Sequence, residues 1–371
     1  MRKLMIMTLA AAGVLSAMGV AKAEETHWSD GISMKGDLRF RYEWIDKEGK
    51  DTRNRFRIRA RLALKGEVNE DVDVHLRLAS GSGDPVSRNQ TLDGGFSSKD
   101  FRLDQAYVDW HPEVVEGVSL WAGKMKQPFV VVKDLIWDGD LTPEGAAIKY
   151  KLGGEALDVM ANLAVLMPEE RSSDDDTYLY GVQLAGKAHP GDGVSVLGGV
   201  SWFLYDNMEG FPLLFDDGNS FGNTTEGGVV DPATGEASDL VYANDFSEFE
   251  AFVKVSVNPG IPVSVYGDYV LNTDADNEDT GFMVGVTLGK AKEPGSAQVD
   301  YNYRDLEADA VVGAFSDSDY IGGGTGGDGH KIQGKYQLAK NWQFSATLFV
   351  TQIEDGDLDY DRAQVDLIAK F

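Results

Sequence analysis

Residues 53–64 read RNRFRIRARLAL, and this stretch decides the fold. Apolar side chains occupy alternate positions from Phe56 to Leu64, and arginines occupy the positions between them from Arg53 to Arg61. Successive side chains of a β-strand point to opposite faces, so a strand here has one apolar face and one cationic face. A long strand with this contrast is typical of a wall between lipid and water.

Similar alternation recurs at 297–304 and 331–338, and almost no segment holds a helical period. Turn sequences alternate with longer polar or glycine-rich stretches. Short turns are expected near Asn69, His111, Gly153, His189, Asn258, Glu293 and Ala339. Longer loops are expected at roughly 45–52, 80–99, 125–143, 167–176, 205–244, 272–279, 305–327 and 354–360. Seven short turns and eight loops predict an all-β fold, a transmembrane antiparallel β-barrel of about 16 strands.

The composition excludes several classes of protein. The 371 residues include no cysteine, which rules out disulfide scaffolds and thiolate metal sites. The net charge of −27 argues against nucleic acid as a partner, because phosphate binding relies on clustered Lys and Arg. A secreted β-sandwich or propeller would also alternate, but its strands are usually shorter and a propeller would show an internal repeat.

The N-terminus predicts export. Arg2 and Lys3 precede an apolar run to Val20, and Ala21-Lys22-Ala23 fits a cleavage site, so residues 1–23 are expected to be a signal peptide. Residues 24–371 then form one barrel domain, with no segment long and apolar enough for a membrane helix. We expect a cell outer membrane location in a Gram-negative bacterium.

The C-terminal stretch 363–371 ends in phenylalanine. Ala363, Val365, Leu367, Ala369 and Phe371 form an apolar face opposite Arg362, Gln364, Asp366 and Lys370. This pattern resembles the terminal strand that the barrel-assembly machinery of Gram-negative bacteria recognises. Phe371 is therefore a candidate assembly signal, and a soluble edge strand that happens to end in phenylalanine is the alternative.

Four stretches, one of them within residues 53–64, resemble the bacterial putative porin family, related more distantly to phosphate-selective and general diffusion porins. They are residues 54–61 (NRFRIRAR), 123–129 (GKMKQPF), 137–146 (WDGDLTPEGA) and 315–320 (FSDSDY). The resemblance implies a sixteen-stranded porin, commonly a trimer, with a water-filled channel for passive diffusion of small hydrophilic solutes and ions. It does not fix a solute. Phosphate-specific members are known for lysine-rich loops, whereas the loops here are acidic.

The loop at 125–143 is the candidate constriction of the pore. Its apolar residues could pack while its charges, Lys133, Asp134, Asp138 and Asp140, face the lumen. The alternative is an external loop that covers a neighbouring subunit. The candidate basic wall opposite these acids consists of Arg39, Arg41, Arg55, Arg57, Arg59, Arg61 and Arg77. One role for these arginines is ion selection, and the other is structural pairing with acids such as Asp37, Glu43 and Asp73. The two roles are compatible.

Other functions stay open at this stage. An anion-selective or phosphate-type porin is one alternative, and a barrel acting as a receptor or adhesion surface through its acidic loops is another. A surface lipase would need a lipid-facing histidine, and we expect His75 and His330 to face the lumen, so no enzyme activity is expected. We expect no cofactor or metal, and we expect outer-membrane lipid, lipopolysaccharide, the assembly machinery and a homotrimer as partners.

Overall fold

The computed structural model describes residues 31–215, 218–230, 237–353 and 357–371. The chain divides into Met1–Ile32, of which only the last two residues are described, and a compact unit Ser33–Phe371. The expected signal peptide therefore lies outside the described residues. Within these ranges no helix is long and apolar enough to cross a membrane.

Nineteen β-strands make up nearly all of the regular structure in these described ranges. They are β1 Ile32–Lys47, β2 Arg53–Asn69, β3 Val72–Ser80, β4 Gln90–Thr91, β5 Phe101–Trp110, β6 Val118–Lys124, β7 Glu144–Leu152, β8 Leu157–Glu169, β9 Thr177–Gly191, β10 Val194–Asp206, β11 Thr225–Val230, β12 Ala237–Tyr242, β13 Ser247–Val257, β14 Val263–Asn272, β15 Thr280–Gly289, β16 Ala297–Leu306, β17 Gly327–Ala339, β18 Trp342–Ile353 and β19 Leu358–Lys370. One 3-10 turn, Gly313–Phe315, lies between β16 and β17.

Sixteen of these strands close into one antiparallel barrel, as the sequence predicts. Each strand pairs with its neighbours along the chain, and β1 pairs with β19 from Asp37↔Lys370 to Lys47↔Tyr360. The two-residue β4 pairs with β2, and β11 and β12 form a separate hairpin. Closure leaves the barrel without a free strand edge, which a wall in lipid requires.

The predicted connections fall at the two ends of the barrel. The seven turns at one end, which we call the short-turn end, include Gly153–Gly154 and Asn258–Gly260. The eight loops form the opposite, long-loop end. The division by length is not strict, because the turns at 111–117 and 290–296 are longer than the loop at 48–52.

The burial of the strands is the reverse of that in a soluble protein. On β2, Phe56 on the outward face is 49 % exposed, whereas the side chains of Arg57 and Arg59 on the inward face are each 12 % exposed. The same alternation continues round the barrel, with exposed Val182, Leu184 and other apolar residues outside. Outward apolar and inward polar faces suit a barrel in a lipid bilayer.

The expectation for one of the two strand histidines is wrong. His75 faces inward and stacks on Tyr107, with ring centroids 4.5 Å apart. His330 instead shares the exposed outward face of β17 with Ile332 and stacks against Tyr301 at 5.9 Å. The cause is the register of β17, which turns Lys331 inward and therefore its neighbour His330 outward.

The C-terminal residue extends the seam of the barrel. Phe371 lies one residue beyond β19, and its backbone N–H donates to the Gly36 carbonyl at 3.0 Å while the Gly36 N–H donates back at 2.9 Å. The ring of Phe371 covers Gly36 so closely that a Cβ atom at this position would lie 2.3 Å from its Cζ. Gly36 thus permits the final side chain to pack on the first strand.

Deleting Phe371 should impair assembly, because it removes the two backbone hydrogen bonds at the seam together with the terminal aromatic ring. We expect a clear fall in the folded, heat-modifiable fraction recovered from outer membranes. The matched control, Phe371→Tyr, retains the hydrogen bonds and the ring and should assemble normally. Equal folded fractions for the deletion and the control would remove Phe371 from the assembly signal.

Candidate functional site

The arginines on β1 point into the lumen and bind partners on other elements. Arg39 Nη2 donates to Asn89 Oδ1 at 2.5 Å. Arg41 binds Asp366 on β19 at 2.7 Å and Asp319, from the loop between β16 and β17, at 3.0 Å. The seam is therefore tied together by an ion pair that also includes a loop residue.

The arginine row on β2 is paired with acids in two groups. Arg55 and Arg57 face Glu43, which is fully buried. Arg59 and Arg61 share Asp37, at 3.0 and 2.7 Å, and both also reach Asp140 of loop 125–143, at 3.4 and 3.3 Å.

Arg77 and Asp73, the other residues expected in the wall, differ in whether their ion-pair partner is the expected one. Arg77 pairs with Asp104 of β5. Asp73, expected to pair with an arginine, binds Lys65 at 2.9 Å instead, so that expectation is wrong. The reason is position, because Asp73 lies at the short-turn end of β3 and the arginines lie closer to the long-loop end.

The basic wall keeps a positive excess after pairing. Its guanidiniums are Arg39, Arg41, Arg55, Arg57, Arg59, Arg61, Arg77, Arg88 and Arg362. The carboxylates that contact them are Asp37, Glu43, Asp104, Asp140, Asp319 and Asp366. Nine cations against six anions leave three positive charges, so the acids both hold the wall and fail to neutralise it.

Loop 125–143 contacts inward-facing side chains on widely separated strands. The Val130 N–H donates to Gln183 Oε1 on β9 at 2.7 Å, and Lys133 Nζ donates to Asp300 on β16 at 2.9 Å. Asp140 reaches β2, as described above. In the sequence of barrel strands, β2, β9 and β16 are the second, eighth and thirteenth, so the contacts are distributed round the lumen.

The three acids of this loop have three different surroundings. Burial would raise the pKa of Asp140, but the guanidiniums of Arg59 and Arg61 outweigh burial and lower it. Burial raises the pKa of Asp138 well above its usual value, and the nearby carboxylate of Asp317 adds to the effect. Asp134 is the most exposed, with its carboxylate 3.6 Å from Lys331. The acids therefore contact cations or backbone directly instead of facing the arginines across open water.

A second loop, 307–326, occupies the same region and was missed as a site from sequence. Asp319 binds Arg41 and Arg362, the latter at 2.7 Å, and Asp317 binds Lys331 at 3.1 Å. The two loops also bind each other, since the Asp138 N–H donates to the Phe315 carbonyl and the Ser318 N–H donates to Asp138 Oδ2. The available signal was the stretch 315–320 itself, which carries two closely spaced acids.

The wall opposite the arginine row carries buried acids, which the sequence analysis also missed. Glu248 and Glu250 lie on β13, and Asp268 lies on β14; they are 0, 2 and 4 % exposed. β13 is the tenth barrel strand and β2 the second, half of the sixteen strands apart. Among the described residues none of these acids forms an ion pair, and both carboxylate oxygens of Asp268 lack a hydrogen-bond donor. The sequence signal for this acidic face was the pair of glutamates at positions 248 and 250, which fall on the same face of a strand.

Comparison with known proteins identifies the family. A family model described as "Putative porin" matches residues 46–214 and 219–371. The chain belongs to this porin family. No curated protein matches the chain in sequence.

Solved structures place the porin among outer-membrane barrels. OprB of Pseudomonas putida has a TM-score of 0.59 at 11 % identity, with 92 % of this chain and 94 % of OprB covered. OmpF of Salmonella typhi, solved with daunomycin, has a TM-score of 0.56 at 11 % identity, with 93 and 99 % covered. A trimer form of OmpT, an outer membrane protein of Vibrio cholerae, has a TM-score of 0.51 at 12 % identity, with 92 and 100 % covered. The porin is thus an outer-membrane channel for small solutes, of a family whose members are channels and not enzymes.

Removing the charge of Asp140 should make the porin more anion-selective. In Asp140→Asn, Arg59 and Arg61 keep only Asp37 as an acidic partner. A unit charge acting across 8 Å of water contributes about 0.5 kcal/mol, so we expect roughly a twofold rise in the anion-to-cation permeability ratio. The measurement is the reversal potential in a planar bilayer under a salt gradient. Asp93→Asn, on an exposed loop carboxylate, is the matched control; an equal shift in both variants would contradict the role of Asp140.

Proposed function

We propose that the porin lets small hydrophilic solutes and ions diffuse passively through a lumen that loops 125–143 and 307–326 narrow. The observation that carries the proposal is the set of ion pairs between these loops and the wall. Asp140 and Asp319 both bind arginines whose side chains point inward, on β2, β1 and β19. Loops tethered in this way reduce the open cross-section and place the wall charges close to passing ions.

The apolar part of loop 125–143 supports the same proposal. Leu135, Ile136 and Trp137 are buried, and Trp137 packs edge-to-face on Phe203 at 5.1 Å. Trp137 also stacks on Phe315 of the second loop at 6.4 Å. An apolar anchor fixes the loop, so its polar residues keep defined positions toward the lumen. We propose this arrangement in preference to an external loop that covers a neighbouring subunit.

Selectivity is the finer part of the proposal. We propose that Arg39, Arg41, Arg55, Arg57, Arg59, Arg61 and Arg77, with Lys133 and Asp134, Asp138 and Asp140, line the path that ions follow. The positive excess of the wall on one side of the lumen would set up a field across it. Salt screens charges over about 8 Å at physiological ionic strength, so this field acts mainly where the lumen is narrow.

The sequence and the outer surface support a proposal for export and for membrane partners. We propose that residues 1–23 are a cleaved signal peptide, that Phe371 is read by the barrel-assembly machinery, and that the exposed apolar band contacts outer-membrane lipid and lipopolysaccharide. Antiparallel barrels of this kind carry short turns on the periplasmic side and longer loops outside. The short-turn end would therefore face the periplasm.

A homotrimer is the proposed assembly. Its support is the fold shared with OmpT of Vibrio cholerae, which was solved in a trimer form. In a planar bilayer, the current through one trimer would fall in three equal steps as its channels close. The current through a monomer would fall in one step.

A receptor or adhesion role through the acidic loops is the alternative from another class. We also propose that the porin has no catalytic activity. His330 lies on the outward face, where its ring packs against Tyr301 and Tyr303 and its Nδ1 is hydrogen-bonded to the Tyr301 hydroxyl at 3.0 Å, so the ring is engaged by neighbours on the barrel wall. A lipase assay in detergent, with and without calcium, tests this point, and calcium-dependent hydrolysis would contradict it.

The passive-channel proposal predicts stable conductance steps from the purified mature protein in a planar bilayer. Water-filled lumens conduct ions without an energy source, so the current should rise linearly with voltage at low voltage. Heat-denatured protein is the control. Silence from a folded, heat-modifiable barrel would contradict the channel and favour the receptor role.

The constriction predicts that a thiol at position 134 will block current when modified. The chain has no native cysteine, so Asp134→Cys gives a single reactive site in the loop. A bulky, charged thiol reagent should reduce the conductance of this variant strongly, because the modified side chain fills the narrow region. Val114→Cys, in an exposed short turn, should react with little change in current. Equal effects at the two positions would contradict an inward-folded loop 125–143.

A further inference from the structure

Four inward lysines near the short-turn end lack the acidic partners that the arginines have. Lys149 on β7, Lys187 on β9, Lys254 on β13 and Lys335 on β17 are each the fourth or fifth residue from that end of their strand. We call these four residues the lysine belt. Ile148, Val253 and Tyr336, which adjoin Lys149, Lys254 and Lys335, are exposed on the outer face, and Lys187 shares the inward parity of buried Gln183 and Ala185. Alternation therefore turns all four ammonium groups into the lumen.

The belt spans half of the barrel. β7 and β17 are the sixth and fourteenth barrel strands, and β9 and β13 lie between them. None of the four lysines forms an ion pair with any residue that the structure describes. Each side chain is half-buried, which fits ammonium groups that remain in contact with water in the lumen.

Two acids on the same arc of the wall, Asp300 and Asp158, form no ion pair with the belt. Asp300, the fourth residue of β16, accepts from Lys133 Nζ at 2.9 Å, Thr287 Oγ1 at 2.5 Å and the Tyr266 hydroxyl at 3.2 Å. Asp158, at the start of β8, accepts from the Gly154 N–H at 3.2 Å and lies 3.7 Å from His189. Lys133 neutralises Asp300, whereas Asp158 keeps its charge and lies opposite Lys187 in the β8–β9 register without forming an ion pair with it.

One lysine of the belt is held in place by an aromatic ring. Lys149 Nζ lies 4.0 Å from the centre of the Trp121 ring, and Lys126 Nζ of loop 125–143 lies 4.7 Å from it. A cation–π contact fixes an ammonium group without cancelling its charge. Two positive charges are thus held at one side of the lumen where no carboxylate compensates them within the described ion pairs.

We propose that the lysine belt is an anion-binding station, and that the preferred solutes of the porin are small anions that carry carboxylate or phosphate groups. The inference rests on the proposed channel function and names its substrate class. The lysines attract such anions after they pass the loops, and the spread over several strands gives weak, replaceable binding. Conduction requires binding of this kind, because a solute must leave as readily as it enters.

The test is inhibition of potassium chloride current by inorganic phosphate and by succinate in a planar bilayer. In the wild-type porin at least one of the two anions should reduce the current at millimolar concentration, and their relative potency distinguishes phosphate from carboxylate groups. The triple variant Lys149→Gln, Lys254→Gln, Lys335→Gln should raise the half-inhibiting concentration about tenfold, since three charges are removed. Replacing the same lysines with arginine should preserve inhibition.

A matched control carries the same charge change at the same end of the barrel. Lys290, Lys292 and Lys340 lie in exposed short turns, and their triple glutamine variant should be inhibited like the wild type. Wild-type current that neither anion reduces, or equal inhibition of the two triple variants, would overturn the proposal that the lysine belt binds anions. Absence of any wild-type conductance would instead overturn the channel function. Heat-modifiability confirms that each variant is folded before it is measured.

Discussion

Every backbone N–H and C=O group in a hydrocarbon layer needs a hydrogen-bond partner, and the rest of this structure depends on that constraint. A sheet meets it only when its first and last strands pair, which β1 and β19 do over eleven residue pairs from Asp37↔Lys370 to Lys47↔Tyr360. Closure also separates two faces, one toward lipid and one toward water. The alternation of residues 53–64 follows from this separation, because each strand must satisfy both media at once.

The inward face creates a second constraint, since buried guanidiniums need anions. The acids that meet the arginine row come partly from the wall, such as Glu43, and partly from two loops, through Asp140 and Asp319. Loss of one partner from a buried pair typically costs about 3–5 kcal/mol, because a charge is left without compensation. The positions of the loops and the charge of the wall are therefore coupled.

The sequence predicts what depends on local pattern. Strand number, turn positions and the lipid-facing residues follow from alternation and from turn sequences such as Asn258-Pro259-Gly260, and the structure confirms them. Ion-pair partners depend on register and loop path, and Arg41 meets an acid 278 positions away. The same limit explains the wrong expectation for Asp73, because the arginines lie nearer the opposite end of the barrel. The expectation for His330 has another cause: His330 has the same parity as Ile332, so alternation itself places it on the outward face, and the expectation misread that face by one residue.

For a passing ion, the distribution of charge in the lumen matters more than the net charge of the chain. The chain carries −27, yet the described lumen includes a wall with nine guanidiniums against six carboxylates and, nearer the short-turn end, four lysines without ion pairs. Acids on exposed loops act across screened water, whereas charges in a narrow lumen act within about 8 Å of the solute. An acidic chain can therefore carry a local positive excess along part of its lumen, and the pairing of each charge decides which ions that part favours.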